Sequence, residues 1–375
     1  MNEDDDGVLP LPSLMEAWRP PTGGKRSLRG GTLRIRSGGK GRGGSNAAPA
    51  LSAAEARAKL ERIVRKAPEV MVKISGKQRG ARHLAEHFGY ISRHGKLEIR
   101  SSEAEIITEE KRLKAIAADW DMLDQAMNAH GKDRPTSMSM VLSMPGGTTD
   151  AATIHDAVQA FARAEFEGQF SYMVALHTDT AHPHVHLTVA TQGADGTRFN
   201  PRKADLHHWR ESFAHELRQR GIAAEATPRR ARGHVQKRVR SPAHHLEART
   251  AEQGRELDLN RLIEERAQAF ARSQNPERRV EDVLALGRQK QIRGAYAEAA
   301  AALAATGKAE DRVLAEDIAG FVADMPPAVS RRLERAREIM IADRKAASQD
   351  ERGKSGSGGR EEQSIAPSKP RDRGR

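Results

Sequence analysis

The run Tyr172-Met-Val-Ala-Leu-His-Thr-Asp-Thr-Ala-His-Pro-His-Val-His-Leu-Thr-Val-Ala190 decides how this chain folds. Apolar and β-branched residues occupy both ends and turn-forming residues lie between Asp179 and Pro183, a pattern that predicts two strands joined as an antiparallel hairpin. Successive side chains of a strand point to opposite faces, so His184 and His186 share one face while Val185 and Leu187 take the other. His177 ends the first strand, and the turn carries it back beside that pair. Three imidazoles with open positions suit metal-assisted chemistry better than a closed structural site. His182 sits in the turn, out of register with the other three, and reads as a solvated or supporting residue. Histidine pairs on strands also serve zinc hydrolases, and exposed histidine-rich loops do nothing specific, so the pattern by itself leaves the chemistry open.

Outward from the hairpin, periodicity predicts strands over residues 70–74 and 137–142 and helices over 81–93, 111–129, 151–167 and 205–220, the last ended by Gly221. Helices separate the remaining strands. The expected fold class is α+β, a central antiparallel sheet with helices packed on it. Five segments are expected: a disordered basic arm over 1–50, a helical lead-in over 51–69 with Ser52 as N-cap, a compact domain over 70–235, a helical region over 236–347 and a disordered tail over 348–375. A second basic run, from Arg229 to Arg240, follows the last core helix and is read as a linker able to close over a bound strand.

Lys and Arg number 63 against 51 Asp and Glu, a formal charge of +12 that points to nucleic acid as partner. There is no cysteine, which excludes disulfides and cysteine-zinc sites. No apolar stretch approaches the roughly 18 residues that span a bilayer, and the acidic start Asn2-Glu-Asp-Asp-Asp6 does not look like a signal peptide, so no membrane insertion and a cytoplasmic location are expected.

A basic chain with an open metal site suggests phosphodiester chemistry, in which water or a hydroxyl attacks phosphorus. The chain holds three tyrosines. Tyr172 is an odd number of residues from His177 and faces the other way, and Tyr296 lies in an alanine-rich region remote from the hairpin. Tyr90 occurs in His83-Leu-Ala-Glu-His-Phe-Gly-Tyr-Ile-Ser-Arg-His-Gly-Lys96, near a helix end among phosphate-compatible groups. Position alone leaves it a packing residue or a nucleophile.

Val70-Met-Val-Lys-Ile-Ser-Gly-Lys77, Gly89-Tyr-Ile-Ser-Arg93, Leu142-Ser-Met-Pro-Gly-Gly147 and the histidine run, in this order, resemble the ordered motifs of the relaxase, or mobilisation nuclease, family. The likeness is to the type that includes the T-DNA border endonuclease, and Arg198-Phe-Asn-Pro-Arg-Lys-Ala-Asp205 also resembles that branch. The resemblance implies an HUH relaxase-like fold and an enzyme that nicks single-stranded origin-of-transfer DNA for conjugation. Tyr90 then matches the nucleophile of a metal-assisted transesterification that leaves a 5′-phosphotyrosine. His177, His184 and His186 match the ligands of a divalent ion, magnesium or manganese, with zinc also compatible with three imidazoles. Asp179 matches an acidic residue that orients a ligand histidine or accepts the phenol proton. Arg93, Lys96, Arg198 and Arg202 are nominated for DNA contact. Accessory DNA-binding proteins and a type IV coupling protein are the further partners implied, with export alongside the DNA. The competing readings are a water-using metal-dependent phosphodiesterase and a non-enzymatic basic DNA-binding protein.

Overall fold

The computed structural model describes residues 9–19, 51–127, 134–180, 182–235, 258–272, 280–328 and 331–355, and these fall into two compact units. The first lies within residues 1–234 and 290–326. Its elements begin with α1 (Leu11–Trp18), α2 (Ala53–Val64), β1 (Met71–Gln78), α3 (Gly80–Ile91), β2 (Ile99–Ser101), β3 (Ile106–Ile107) and α4 (Glu110–Met127). They continue with β4 (Ser137–Ser143), α5 (Ala151–Phe166), β5 (Tyr172–His177), β6 (His184–Ala190) and α6 (Lys203–Gln219). The strands form one sheet in the order β1-β4-β6-β5-β2-β3, antiparallel at every pairing. The fold is therefore α+β, an antiparallel sheet with helices on it. Strands β2 and β3 escape a reading by periodicity, because three- and two-residue strands are too short to show a period.

Alternation sorts the sheet into two faces. Val72, Met140, Leu142, Val174, Val185 and Leu187 face α5 and α6, whose Ile154, Phe161, Trp209 and Phe213 complete the main core. Tyr172 is buried in this core, which settles its role as a packing aromatic. On the other face, Leu84 and Phe88 of α3 and Leu113 and Trp120 of α4 pack on Ile99, Ile107, Met173 and Ala175. That covers the β5-β2-β3 side, while Met71 and Lys73 of β1 remain exposed at the opposite edge.

Pairing register aligns specific residues across this second face. One rung runs Met71, Ser143, His184, His177 over β1, β4, β6 and β5; the next runs Lys73, Val141, His186, Ala175. Both rungs place the histidines at the boundary between the helix-covered and open parts of the sheet.

The chain flanking the sheet is more engaged than its composition indicated. Helix α1 lies inside the stretch expected to be an arm, and its Trp18 is buried, donating from Nε1 to the Tyr296 hydroxyl at 3.1 Å. That hydroxyl donates to the Ala231 carbonyl at 2.9 Å. Residues 20–50, which carry the arm's basic side chains, lie outside the described residues, as do 236–257 and the tail from 356. Ser52 caps α2 in a reciprocal capping box with Glu55. The start of the second basic run does not form a free linker. Arg229–Arg232 is a short 3-10 turn in which Ala231 is buried, Arg230 donates to the Glu16 and Arg19 carbonyls, and Arg232 pairs with Glu69 at 3.2 Å. The helices α7 (Asp258–Arg272), α8 (Val280–Ala305), α9 (Ala309–Ala323) and α10 (Arg331–Ser355) follow. Residues 290–326 belong to the first unit. The second unit lies within residues 235–289 and 327–375 and is held by α7 on α10, with Arg335 bridging Glu264 at 2.6 Å. No helix among the described residues is long and apolar enough to cross a membrane.

Candidate metal centre and active site

The β5-β6 pairing sets His177 opposite His184, and alternation puts His186 on the same face. Their ring centroids are 4.4 to 5.2 Å apart, and one ring nitrogen from each lies within 4.8 Å of the others. His177 and His186 are buried and His184 is half-buried.

The hydrogen bonds specify which nitrogens remain available. His177 Nε2 lies 2.8 Å from the Ile91 carbonyl, an acceptor only, so this nitrogen carries the proton and Nδ1 keeps its lone pair. His184 Nδ1 likewise donates to the His182 carbonyl at 3.1 Å, leaving Nε2 as its free lone pair. Both nitrogens of His186 are buried without a partner. Unpaired polar atoms in such a place cost on the order of 1 to 3 kcal/mol, a cost that a bound cation would remove. Burial, and then the neighbouring imidazoles, push the His186 pKa down to about 3, so the ring is neutral at ordinary pH and ready to donate its lone pair. Carbonyl-anchored imidazoles beside a neutral unpaired one fit a divalent ion. His182 is exposed and its backbone carbonyl accepts from His184 Nδ1.

Tyr90 enters from α3. Its ring lies 6.0 Å from that of His186 and 6.3 Å from that of His177, and it is 53% exposed. The ring stands half in water beside buried imidazoles rather than inside either core cluster. Past the helix end the backbone turns sharply, with Arg93, His94 and Gly95 all at positive φ. Two non-glycine residues in this region cost of order 1 kcal/mol each. The turn is held by buried Ser92, whose hydroxyl oxygen accepts from the Gly95 amide at 3.1 Å. A Cβ on Gly95 would meet the Thr108 carbonyl at 2.7 Å, so the position admits only glycine.

This turn sends Arg93 into the site. Its guanidinium carbon stands 5.2 Å from the Tyr90 ring centroid, and its Nη2 donates to His177 Nδ1 at 3.2 Å and to the Asp179 carboxylate. Burial would raise the Asp179 pKa, but adjacent Arg93 outweighs it and holds the carboxylate below its ordinary range. Among the described residues no hydrogen bond joins Asp179 to a histidine, and Arg93 Nη2 lies between it and His177. Lys96 and Arg202 are exposed, Arg202 at the start of α6, where its amide donates to Asp205. Arg198 is placed differently. Its guanidinium pairs with buried Asp124 of α4 and donates to the Pro135 carbonyl at 2.7 Å, which makes it a clamp joining the loop after β6 to α4 and to the α4-β4 connection.

His87, three residues before Tyr90 and so on the same side of α3, is a member of the site that sequence reasoning missed. Its Nε2 is 2.9 Å from the Thr188 hydroxyl, and burial followed by the charge of His83 lowers its pKa to about 4. The helical spacing of His83, His87 and Tyr90 is the signal that could have found it. The orienting carbonyl of Ile91 has none, since a backbone group carries no sequence mark.

The sheet thus presents three convergent imidazoles to an exposed tyrosine. Residues 90–222 match the relaxase family described as MobA/VirD2-like, nuclease domain. It is 23% identical over 193 residues to the T-DNA border endonuclease VirD2 of Rhizobium radiobacter, covering 47% of this chain and 46% of that protein. The protein of the same name from Agrobacterium fabrum (strain C58 / ATCC 33970) is 24% identical over 182 residues, covering 44% and 41%. The chain thus spans about half the length of the curated relatives it matches. A solved structure titled "Molecular Basis of Vancomycin Resistance Transfer in Staphylococcus aureus" aligns over 43% of this chain and 98% of its own at 13% identity, with a TM-score of 0.28.

Proposed function

We propose that this chain nicks single-stranded DNA at an origin of transfer by tyrosine transesterification. The observation that carries the reading is the half-exposed Tyr90 ring lying 6.0 Å from His186 and 6.3 Å from His177, two members of the three-histidine cluster. The three imidazoles would hold a divalent cation through His177 Nδ1, His184 Nε2 and His186. When bound, that ion supplies positive charge to a non-bridging oxygen of the scissile phosphate.

The protein's own residues do the rest. The Tyr90 oxygen attacks phosphorus, the bond from phosphorus to the 3′-oxygen breaks, and the departing strand leaves as a 3′-hydroxyl after taking a proton from water. No described residue hydrogen-bonds the Tyr90 hydroxyl, so its proton passes to solvent. One phosphodiester replaces another, so the step is close to reversible and rejoining needs no nucleotide cofactor. Arg93, tethered by Asp179 against the Tyr90 face, is placed to meet a phosphate oxygen, and exposed Lys96 and Arg202 are secondary backbone contacts. Arg198 is left out, because both of its terminal nitrogens are held inside the protein, by Asp124 and the Pro135 carbonyl. A type IV coupling protein, accessory DNA-binding proteins and transfer between cells belong to the same reading. So does a domain arrangement in which residues 70–235 carry the nuclease.

The test is incubation with 3′-labelled single-stranded origin DNA and Mn²⁺, followed by denaturing electrophoresis. A protease-sensitive covalent band, absent without metal, is expected. Cleavage with no adduct would replace this reading with a water-using phosphodiesterase, and no cleavage of any origin strand would leave a DNA-binding protein.

A further inference from the structure

The rung that ends in His184 and His177 begins with Met71 and Ser143, and none of the steps above uses those two residues. On their side of the histidines the open face holds a cavity of about 410 Å³, within the usual range for small-molecule sites. Met71, Val141, Met144 and Pro145 form its apolar walls, and Ser143 and His184 lie where it meets the histidine cluster. Ser143-Met-Pro145 belongs to one of the sequence motifs that the proposed chemistry leaves unexplained. Met71 is 44% exposed on its strand and precedes residues 90–222, the segment shared with the family.

The cavity lies across the histidines from the nucleophile. Tyr90 approaches from α3, packed over β5 and β2, and its ring neighbours are His177 and His186. His184 instead lines the cavity, on the side of β4 and β1. Displacement at phosphorus keeps the attacking and departing oxygens roughly in line. A phosphate held at the histidines and attacked from the Tyr90 side therefore expels its 3′-oxygen toward Met71 and Ser143.

From this arrangement we infer a binding subsite: the cavity takes the nucleobase of the nucleotide bearing the departing 3′-hydroxyl, an inference that rests on the nicking reading above. Its walls select a base over a phosphate. Two thioethers, a valine and a proline offer soft contacts to an aromatic ring, whereas the Glu69 carboxylate at the cavity's edge repels an anion. Glu69 is held there by Arg232 at 3.2 Å and the Thr227 amide at 2.8 Å. The phosphate on the 5′ side of that nucleotide has its own partner in Lys73, exposed one rung further along β1. Retaining the terminal base after cleavage keeps the 3′-hydroxyl beside the phosphotyrosine, which is the geometry that rejoining requires.

The experiment uses the full chain, Mn²⁺ and origin single strands whose nick has been mapped, with an abasic residue placed either just 5′ or just 3′ of the scissile phosphate. Loss of the 5′ base should slow adduct formation and rejoining at least tenfold, and loss of the 3′ base should have a several-fold smaller effect. Met71→Trp, which fills the cavity from an exposed strand position, should slow reaction of the intact strand and abolish the extra penalty of the 5′ abasic site. Equal penalties at the two positions in the wild type would overturn the inference without reference to any variant. So would a 5′ penalty that Met71→Trp leaves unchanged. Failure of the nicking reading shows separately, as no adduct on the intact strand with the wild-type protein, and removes the inference with it.

Discussion

Nη2 of Arg93 donates to Nδ1 of His177 at 3.2 Å, the same lone pair that the Ile91 carbonyl leaves available for a cation. The guanidinium thus stands where a metal would bind, and two positive charges a few ångströms apart oppose each other by several kcal/mol at intermediate dielectric. Arg93 is a third exposed, so solvent screens part of that opposition. Arg93→Ala should therefore tighten Mn²⁺ binding by about tenfold, or ~1.4 kcal/mol, in calorimetry without DNA. Weaker binding in the variant would show that Arg93 supports the site rather than competing for it.

Tyr90→Phe removes one oxygen and no charge. Covalent adduct should disappear while single-strand affinity in a filter or anisotropy assay changes less than twofold. Adduct at the normal level would move the nucleophile elsewhere.

Replacing both His184 and His186 by alanine leaves one imidazole, too few to hold a catalytic ion. Mn²⁺ binding and metal-dependent cleavage should both fall by at least a hundredfold. Circular dichroism of the metal-free double variant should still report a folded protein, which separates loss of the ion from loss of the fold. Retained calorimetric binding would place the metal site outside this cluster.

Arg198→Ala separates a structural clamp from a DNA contact. It would leave the Asp124 carboxylate buried without its cation, and breaking such a pair costs about 3 kcal/mol or more. A lowered urea midpoint with an unchanged salt dependence of DNA binding is expected. A smaller salt slope at unchanged stability would restore Arg198 to the DNA interface.

Acid should destabilise the metal-free protein through its buried imidazoles. The pKa of His87 is lowered from 6.5 to about 4 and that of His186 to about 3, so the unfolded chain binds protons that the folded chain refuses. Their contribution is complete above pH 6.5 and is lost as pH falls from there through 4 toward 3. For His87 the full shift is worth about 3 kcal/mol. Urea midpoints measured between pH 7 and 4 should fall steeply, and less so in His87→Asn. A flat profile would mean that these rings are open to water.

How far the sequence reached depended on whether a signal was local. Alternation of His184, Val185, His186 and Leu187 is enough to place the two imidazoles on one face, because strand geometry alone dictates it. The hairpin, its antiparallel sense and the burial of Tyr172 follow from the same period, and Ser52 with Glu55 marks a helix start from three residues' spacing. Tyr90 could be chosen as nucleophile only through resemblance, since a tyrosine near a helix end has the same local pattern whether it packs or reacts.

Tertiary structure decided which strands are neighbours and therefore what stands beside the histidines. That β4 separates β1 from β6 puts Met71 and Ser143 on the rung of His184, a relation between residues far apart in the chain that no window of sequence contains. The left-handed turn after α3 brings Arg93 rather than Asp179 to His177, and the packing of α3 on β5 supplies the Ile91 carbonyl that orients the ring. Arg198, an ordinary basic residue in sequence, became a clamp because folding left a buried carboxylate within its reach. Propensity and period are properties of neighbouring residues, and they determined the elements and the face each presents. Pairing register, burial and the partner of each charge depend on long-range contacts, and those determined how the site is built.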